Sequence, residues 1–528
     1  MDLLIFETLL GLLAASVVLE LLARAFQVPS AVALVLGGMV LAFIPGLPQV
    51  ALDPELALAL FLPPLLQASA QRTHWPAFQS NLSMILLLAL GAVLFTTVVI
   101  GVVAKQLMPS LPWAAAIALG AIVAPPDAVS ATSVLKNFKL PRHIVTVLEG
   151  ESLINDASAL VLYRFAVTAT LVGSISLWEA SWSFLLMALG GTVAGLVVGF
   201  AAIWLLARLK DRLLEIVISF LSAFASYLLA EAFHVSGVLA AVACGGVVGR
   251  NQLKLTAGTR LETNSAWELV EFILTSLVFL LIGLQLRGIL ESLANINPWQ
   301  IVWVAAAVSG TLILSRIVWV FATSYPAAAL MKGLRGEGFI PPLSYPTIIS
   351  WAGMRGVVSL AAALALPFDF PGRDLIVFLA FCSILATLVL QGTTLGWVIR
   401  RFDLTDSKIE AARPEIVTAR KEVATAALEI VSGQISHPEH GQIAESLVQD
   451  FKDRVDLADR LNEDAEAAQR GMNAELQLRL SALAAARAKL AERRDELDGE
   501  TLATLVQELD LEEEQIRVTM DTGRTQAG

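Results

Sequence analysis

Charge and reactive side chains are what this sequence has little of. Only 16% of the 528 residues are charged, and there are two cysteines, five histidines and four tyrosines. The cysteines, Cys244 and Cys382, both lie in apolar runs, which argues against a disulfide framework or a thiolate metal cluster. No G-x-x-x-x-G-K-[ST] loop and no H-E-x-x-H motif occurs, which argues against an ATP-driven pump or a membrane metalloprotease. No enzymatic activity, bound cofactor or nucleic-acid partner is expected. The N-terminal stretch carries Asp2 and Glu7, with no basic n-region and no small-residue cleavage site before Arg24. It therefore reads as a first membrane span and not as a secretory signal.

Apolar residues are what the chain has instead. They make up 56% of it, and the mean hydropathy of +0.71 is far above that of a soluble protein. Residues 1–401 hold 21 Lys/Arg and 20 Asp/Glu, while residues 402–528 hold 15 and 27. The second part thus carries the whole negative balance of the chain. An all-α polytopic membrane domain over 1–401, followed by an acidic helical tail over 402–528, is the expected organisation. Spans of about 20 apolar residues are placed near 3–23, 29–46, 54–70, 80–104, 112–134, 143–171, 179–207, 213–232, 235–250, 264–285, 298–329, 345–366 and 374–399, about 13 in all.

The basic residues test that placement. One set of alternating loops holds fifteen of them, from Arg24, Arg72 and Lys136 through to Arg400 and Arg401. The opposite set holds only Lys105, Arg287 and Arg373. By the positive-inside rule the N-terminus is outside and the tail is in the cytoplasm. Arg164, Arg316 and Arg355 fall within spans. Arg164 can snorkel to the outer interface, whereas Arg316 is too deep for that and needs a buried anion.

Two spans look interrupted. Pro125-Pro126 removes two backbone donors just before Asp127, and Gly353 and Gly356 loosen the backbone around Arg355. Irregular backbone at membrane depth survives only where protein or a watery cavity satisfies it. A pair of broken helices in corresponding halves of a transporter points to its binding site and suggests inverted repeats.

The most informative run is Leu148-Glu149-Gly150-Glu151-Ser152-Leu153-Ile154-Asn155-Asp156, which places carboxylates inside a long apolar segment. A charge at that depth costs at least about 2.5–3.5 kcal/mol, so it is rare unless used. Ser152 and Asp156 share one helical face, as do Glu151 and Asn155. One face can offer a hydroxyl and a carboxylate to a hard cation, while Glu151 turns towards a buried arginine on a neighbouring helix. An aspartate in a low-dielectric site can hold a proton or a metal ion, but hardly both. Competition for one group is itself a mechanism of exchange.

Gly150-Glu151-Ser152-Leu153-Ile154-Asn155-Asp156 closely resembles the signature of the monovalent cation:proton antiporters, which include the bacterial NhaP type and plasma-membrane Na⁺/H⁺ exchangers. Phe61-Leu62-Pro63-Pro64-Leu65-Leu66 and Trp351-Ala352-Gly353-Met354-Arg355-Gly356 support the likeness. It implies a thirteen-helix fold with a dimerisation domain and a six-helix core, in which spans five and twelve cross as broken helices. It makes Asp156 the ion- and proton-binding acid, with Asn155 beside it in the ion-binding set and Ser152 and Asp127 as further cation ligands or orienting groups. It pairs Glu151 with Arg316 and sets Arg355 to compensate charge or dipoles at the crossing. Where many members have Thr-Asp, this chain has Pro126-Asp127, so a Pro126 carbonyl is left to serve in place of the hydroxyl.

Electrogenic relatives carry two adjacent aspartates where this chain has Asn155-Asp156, so one-for-one electroneutral exchange is expected. The implied activity is Na⁺/H⁺ antiport in the cell membrane (plasma or inner), by a homodimer in the lipid bilayer, serving cytoplasmic pH and sodium homeostasis. K⁺ is the serious alternative ion, Li⁺ a further candidate, and a cation channel on the same scaffold a lesser one. In the tail, Leu476, Leu483, Leu490 and Leu497 recur every seven residues as a short amphipathic or coiled-coil seam. The pair His437 and His440 sits in a Pro- and Gly-containing turn, with little to suggest a metal pair or a pH-sensitive element.

Overall fold

A computed structural model describes residues 2–45, 54–135, 138, 140–172, 177–209, 211–252, 255, 257–293, 297–335, 342–402, 414–433, 435, 441–463, 465–492, 505–506, 508–517 and 519. His437, His440 and Leu497 lie outside the described residues. The chain divides into two compact units, Met1–Thr405 and Asp406–Gly528. Among the described residues every regular element is helical.

The first unit opens with α1 (Asp2–Phe26), α2 (Ser30–Leu41), α3 (Pro54–Arg72), the short α4 (Trp75–Ser80), and a continuous rod made of α5 (Leu82–Leu86), a π-helical turn (Leu87–Ala92) and α6 (Val93–Leu107). The fifth expected span is split into α7 (Trp113–Val123) and α8 (Ala128–Leu135). Then come α9 (Arg142–Val172), α10 (Leu177–Leu206), α11 (Arg212–Ala232), α12 (Gly237–Arg250), α13 (Ala257–Leu284), α14 (Leu286–Ser292) and α15 (Pro298–Arg335). The twelfth expected span is likewise split, into α16 (Ser344–Trp351) and α17 (Val357–Leu364). The unit ends with α18 (Arg373–Ala386), a second π-helical turn (Thr387–Gln391) and α19 (Gly392–Arg401).

Among the described residues six stretches are long and apolar enough to cross a bilayer outright, including Leu82–Leu107, Gly258–Ser292, Trp299–Tyr325 and Arg373–Arg401. Three more, Ser30–Leu41, Trp113–Val123 and Gly237–Arg250, are apolar but shorter. This is an all-α polytopic membrane unit. Its largest buried cluster is centred on α7, α15, α17 and α18, while α10, α11, α12 and α3 pack on one another. With no water-driven force between helices in lipid, small residues let backbones approach. Gly38 and Gly283 do this for α2 and α13: a Cβ on either would strike the other helix's carbonyl oxygens.

The π-helical turns free carbonyls that side chains then occupy. Ser158 Oγ donates to the Ala89 carbonyl at 2.8 Å, and Trp319 Nε1 donates to that of Leu87 at 3.2 Å. Arg164 is exposed and reaches Glu231, at the end of α11, at 3.6 Å.

The second unit contains α20 (Pro414–Ser432), α21 (Gly441–Glu463) and α22 (Ala465–Glu492). Two leucines of the expected seam find partners in their own chain. Leu476 and Leu483 pack with Ile516 and Leu509, and Arg487 closes that hairpin on Asp510 and Glu513.

Candidate functional site

The two interrupted helices meet at their breaks, and each break satisfies the other's backbone. Asp127 N–H donates to the Met354 carbonyl at 2.7 Å. In return Arg355 Nε donates to the Val123 carbonyl at 2.7 Å, and its Nη1 donates to the Gly353 carbonyl. Thr387 Oγ1, in the second π-helical turn, accepts from Arg355 N–H at 3.1 Å. Pro125 and Pro126 are buried in the first break.

Charge is sorted by helix end. The last carbonyls of a helix are orphaned and its C-terminus is partly negative, while the N-terminus is partly positive. Arg355 sits on the C-terminal carbonyls of α7 and just past those of α16, and Arg316 donates to the Ile349 carbonyl of α16 at 3.1 Å and 3.3 Å. Asp127 takes the opposite ends. Its Oδ2 caps α8, accepting from Ser130 N–H at 3.2 Å and from the Ser130 hydroxyl, and it lies against Gly356 at the start of α17. Two cations on C-termini and one anion between two N-termini are a consistent electrostatic arrangement.

Gly353 and Gly356 were expected to loosen the backbone, and the structure gives a different reason for them. Neither adopts a left-handed conformation; among the described glycines only Gly372 has positive φ. A Cβ on Gly353 would collide with the Arg316 side chain, and one on Gly356 with the Asp127 carboxylate. Both are glycine because a charged side chain fills the space.

On α9 the neighbouring acids diverge. Glu151 is 1% exposed and Arg316 2%. Arg316 Nη1 and Nη2 donate to Glu151 Oε1 and Oε2 at 2.6 Å and 2.8 Å, a bidentate fork. Asp156, 6% exposed, forms no ion pair among the described residues. It lines a cleft together with Asp127, Ser152, Ser69, Thr275 and Phe279. Asp127, Ser152 and Asp156 are thus brought together, whereas Asn155 is not among the lining residues. The Asn155 amide is turned into the break and donates to the Pro126 carbonyl at 2.8 Å. That carbonyl keeps a second lone pair, and the Asn155 Oδ1 is buried without a hydrogen-bond partner among the described residues.

Sequence reading missed Ser69 and Thr275, single hydroxyls on α3 and α13 that only the packing brings to the cleft. Among the described residues no three His, Cys, Asp or Glu side chains gather in one place. The oxygen set available to a cation is two carboxylates plus hydroxyls, which suits a hard ion.

Two broken helices crossing at membrane depth beside an acid-lined cleft define a membrane carrier of the broken-helix class. The chain belongs to the sodium/hydrogen exchanger family, whose model, described as "Sodium/hydrogen exchanger, transmembrane", matches residues 11–401. It is 34% identical over 433 residues to a Bacillus pumilus protein named "Sodium, potassium, lithium and rubidium/H(+) antiporter", covering 78% of this chain and 64% of that relative's length. It is also 33% identical over 520 residues to the Escherichia coli K12 uncharacterized Na(+)/H(+) exchanger YjcE, covering 92% of this chain and 94% of that one. Its fold is similar to the solved sodium proton antiporter MjNhaP1 of Methanocaldococcus jannaschii, with a TM-score of 0.60 at 18% identity, over 76% of this chain and 99% of that one.

Proposed function

We propose that this protein is a secondary antiporter that exchanges a monovalent cation, Na⁺ in the first instance, for H⁺ at Asp156. The observation that carries the proposal is the unequal treatment of two buried acids on α9. Glu151 is neutralised by an arginine fork, whereas Asp156 faces a cleft with Asp127 and, among the described residues, no basic partner. Two carboxylates in a low-dielectric cleft repel one another unless a cation or a proton joins them. A cation held by Asp156, Asp127 and the Ser152 hydroxyl supplies that charge, and so does a proton on Asp156. Occupancy by one excludes the other, so each release on one side of the membrane readies the site for the competing ion.

With Glu151 committed to Arg316 and Asp127 to the cap of α8, Asp156 is the one carboxylate that exchanges. One cation then moves per proton and no net charge crosses. We further infer thirteen crossings in a cell membrane, an external N-terminus, a cytoplasmic C-terminal unit, a homodimer, and a role in cytoplasmic pH and sodium balance. K⁺ exchange at the same cleft is a second reading, favoured by the relative named for sodium, potassium, lithium and rubidium. Proton flux in proteoliposomes supplied in turn with Na⁺, Li⁺ and K⁺ tests both. A saturable flux that requires an opposing gradient supports antiport. A transport current that follows membrane potential contradicts electroneutrality.

A further inference from the structure

A third buried acid lies outside the exchange cleft. Glu215 is 3% exposed, in the first turn of α11, where the side chain of Asp211 caps the helix. Among the described residues no cationic side chain pairs with it, and its Oε2 has no hydrogen-bond donor. It lines a small pocket with Gln71, Ser219, Thr263, Asn264 and Arg260. Two more buried polar atoms of that lining, Gln71 Nε2 and Thr263 Oγ1, also lack partners. A buried carboxylate oxygen without a donor is costly, and the orphaned polar atoms around it mark a place that can hold an occupant.

We propose that this pocket is a second monovalent-cation site, separate from the Asp127–Asp156 cleft. Its oxygens are the Glu215 carboxylate and the Thr263 and Ser219 hydroxyls, joined by the Gln71 carbonyl after a half-turn of its amide. The wall is fixed in advance. Gln67 Nε2 donates to the Ser219 carbonyl at 3.0 Å and to Ser222 Oγ at 2.9 Å, and Trp267 Nε1 donates to Ser219 Oγ at 3.0 Å. Arg260 is held aside, donating to the Leu255 carbonyl at 2.7 Å. Its fixed positive charge repels a divalent ion twice as strongly as a monovalent one. The site does not depend on the exchange reading, because it shares no residue with the cleft.

The test uses the purified full-length protein with the cleft disabled by Asp127→Asn and Asp156→Asn. Thermal unfolding is followed against NaCl, KCl or LiCl, with choline chloride at equal ionic strength as the reference. A saturable, cation-specific rise in Tm is expected to persist, since a ligand that binds only the folded state stabilises it. Adding Glu215→Gln should raise the apparent Kd at least about tenfold. If that variant does not fold, Thr263→Val, which removes one oxygen, should still raise it several-fold. Absence of any cation-specific rise in the cleft-disabled protein, or a titration unchanged by both pocket substitutions, overturns the proposal. Flux lost or kept in the Asp156 variant judges the exchange reading separately.

Discussion

Glu151 and Asp156 lie five residues apart on α9, are almost equally buried, and meet opposite surroundings. Five residues turn a helix by about 140°, so one acid faces α15 and the other the cleft. Glu151 receives two guanidinium hydrogen bonds, whereas Asp156 receives no ion pair and looks onto hydroxyls and a second carboxylate. Burial alone therefore does not mark the exchanging group. A buried charge with a full set of partners is a brace, and one facing a roomy cleft without a counter-ion is free to take a mobile one.

That contrast can be broken at several points. The largest effect is expected from Asp156→Asn, which should abolish isotopic cation self-exchange even with no proton gradient, because the same carboxylate holds the cation. Asp127→Asn should lower the rate of cation-driven proton flux by at least about tenfold, since it removes the second carboxylate's charge while its amide oxygen can still cap α8. Arg316→Met leaves Glu151 buried without its partner. It should lower unfolding stability by about 3–5 kcal/mol, while replacing both members with apolar residues restores much of it. Denaturant titration of the single and double variants decides this.

Gly353→Ala forces the Arg316 stem aside and should cost about 1–3 kcal/mol in the same titration. The smallest effect is expected from Asn155→Ala, which loses the hydrogen bond to Pro126 and about 1 kcal/mol of stability. Flux per folded molecule should then remain. A loss of cation selectivity instead would return Asn155 to the ligand set.

Much of this was legible in the sequence because lipid imposes strong rules. Apolar run length and the side on which arginines and lysines gather mark the spans, and Pro125-Pro126 announces the first break. The acids of α9 are visible because charge at that depth is rare. What stayed hidden depends on neighbours distant in the chain. The glycines at 353 and 356 read as helix weakeners, but their cause is the Arg316 and Asp127 side chains that pack on them.

Asn155 reads as a ligand from its place beside Asp156; what only packing shows is that its amide N–H goes to Pro126 while its Oδ1 has no partner among the described residues. The π-helical turns leave no local signature. One signal was present and passed over. Glu215, Ser219, Ser222 and Ser226 recur at i, i+4, i+7 and i+11 along α11, a buried polar stripe facing Gln67 on α3.

The most direct test reads both acids of α9 in one assay: cation-driven proton flux per folded molecule in proteoliposomes, for Asp156→Asn and Glu151→Gln side by side. The account expects no cation-dependent flux from the first. It expects a less stable second protein whose folded fraction still exchanges. Wild-type flux from Asp156→Asn, or a well-folded Glu151→Gln protein that has lost all cation dependence, would contradict it.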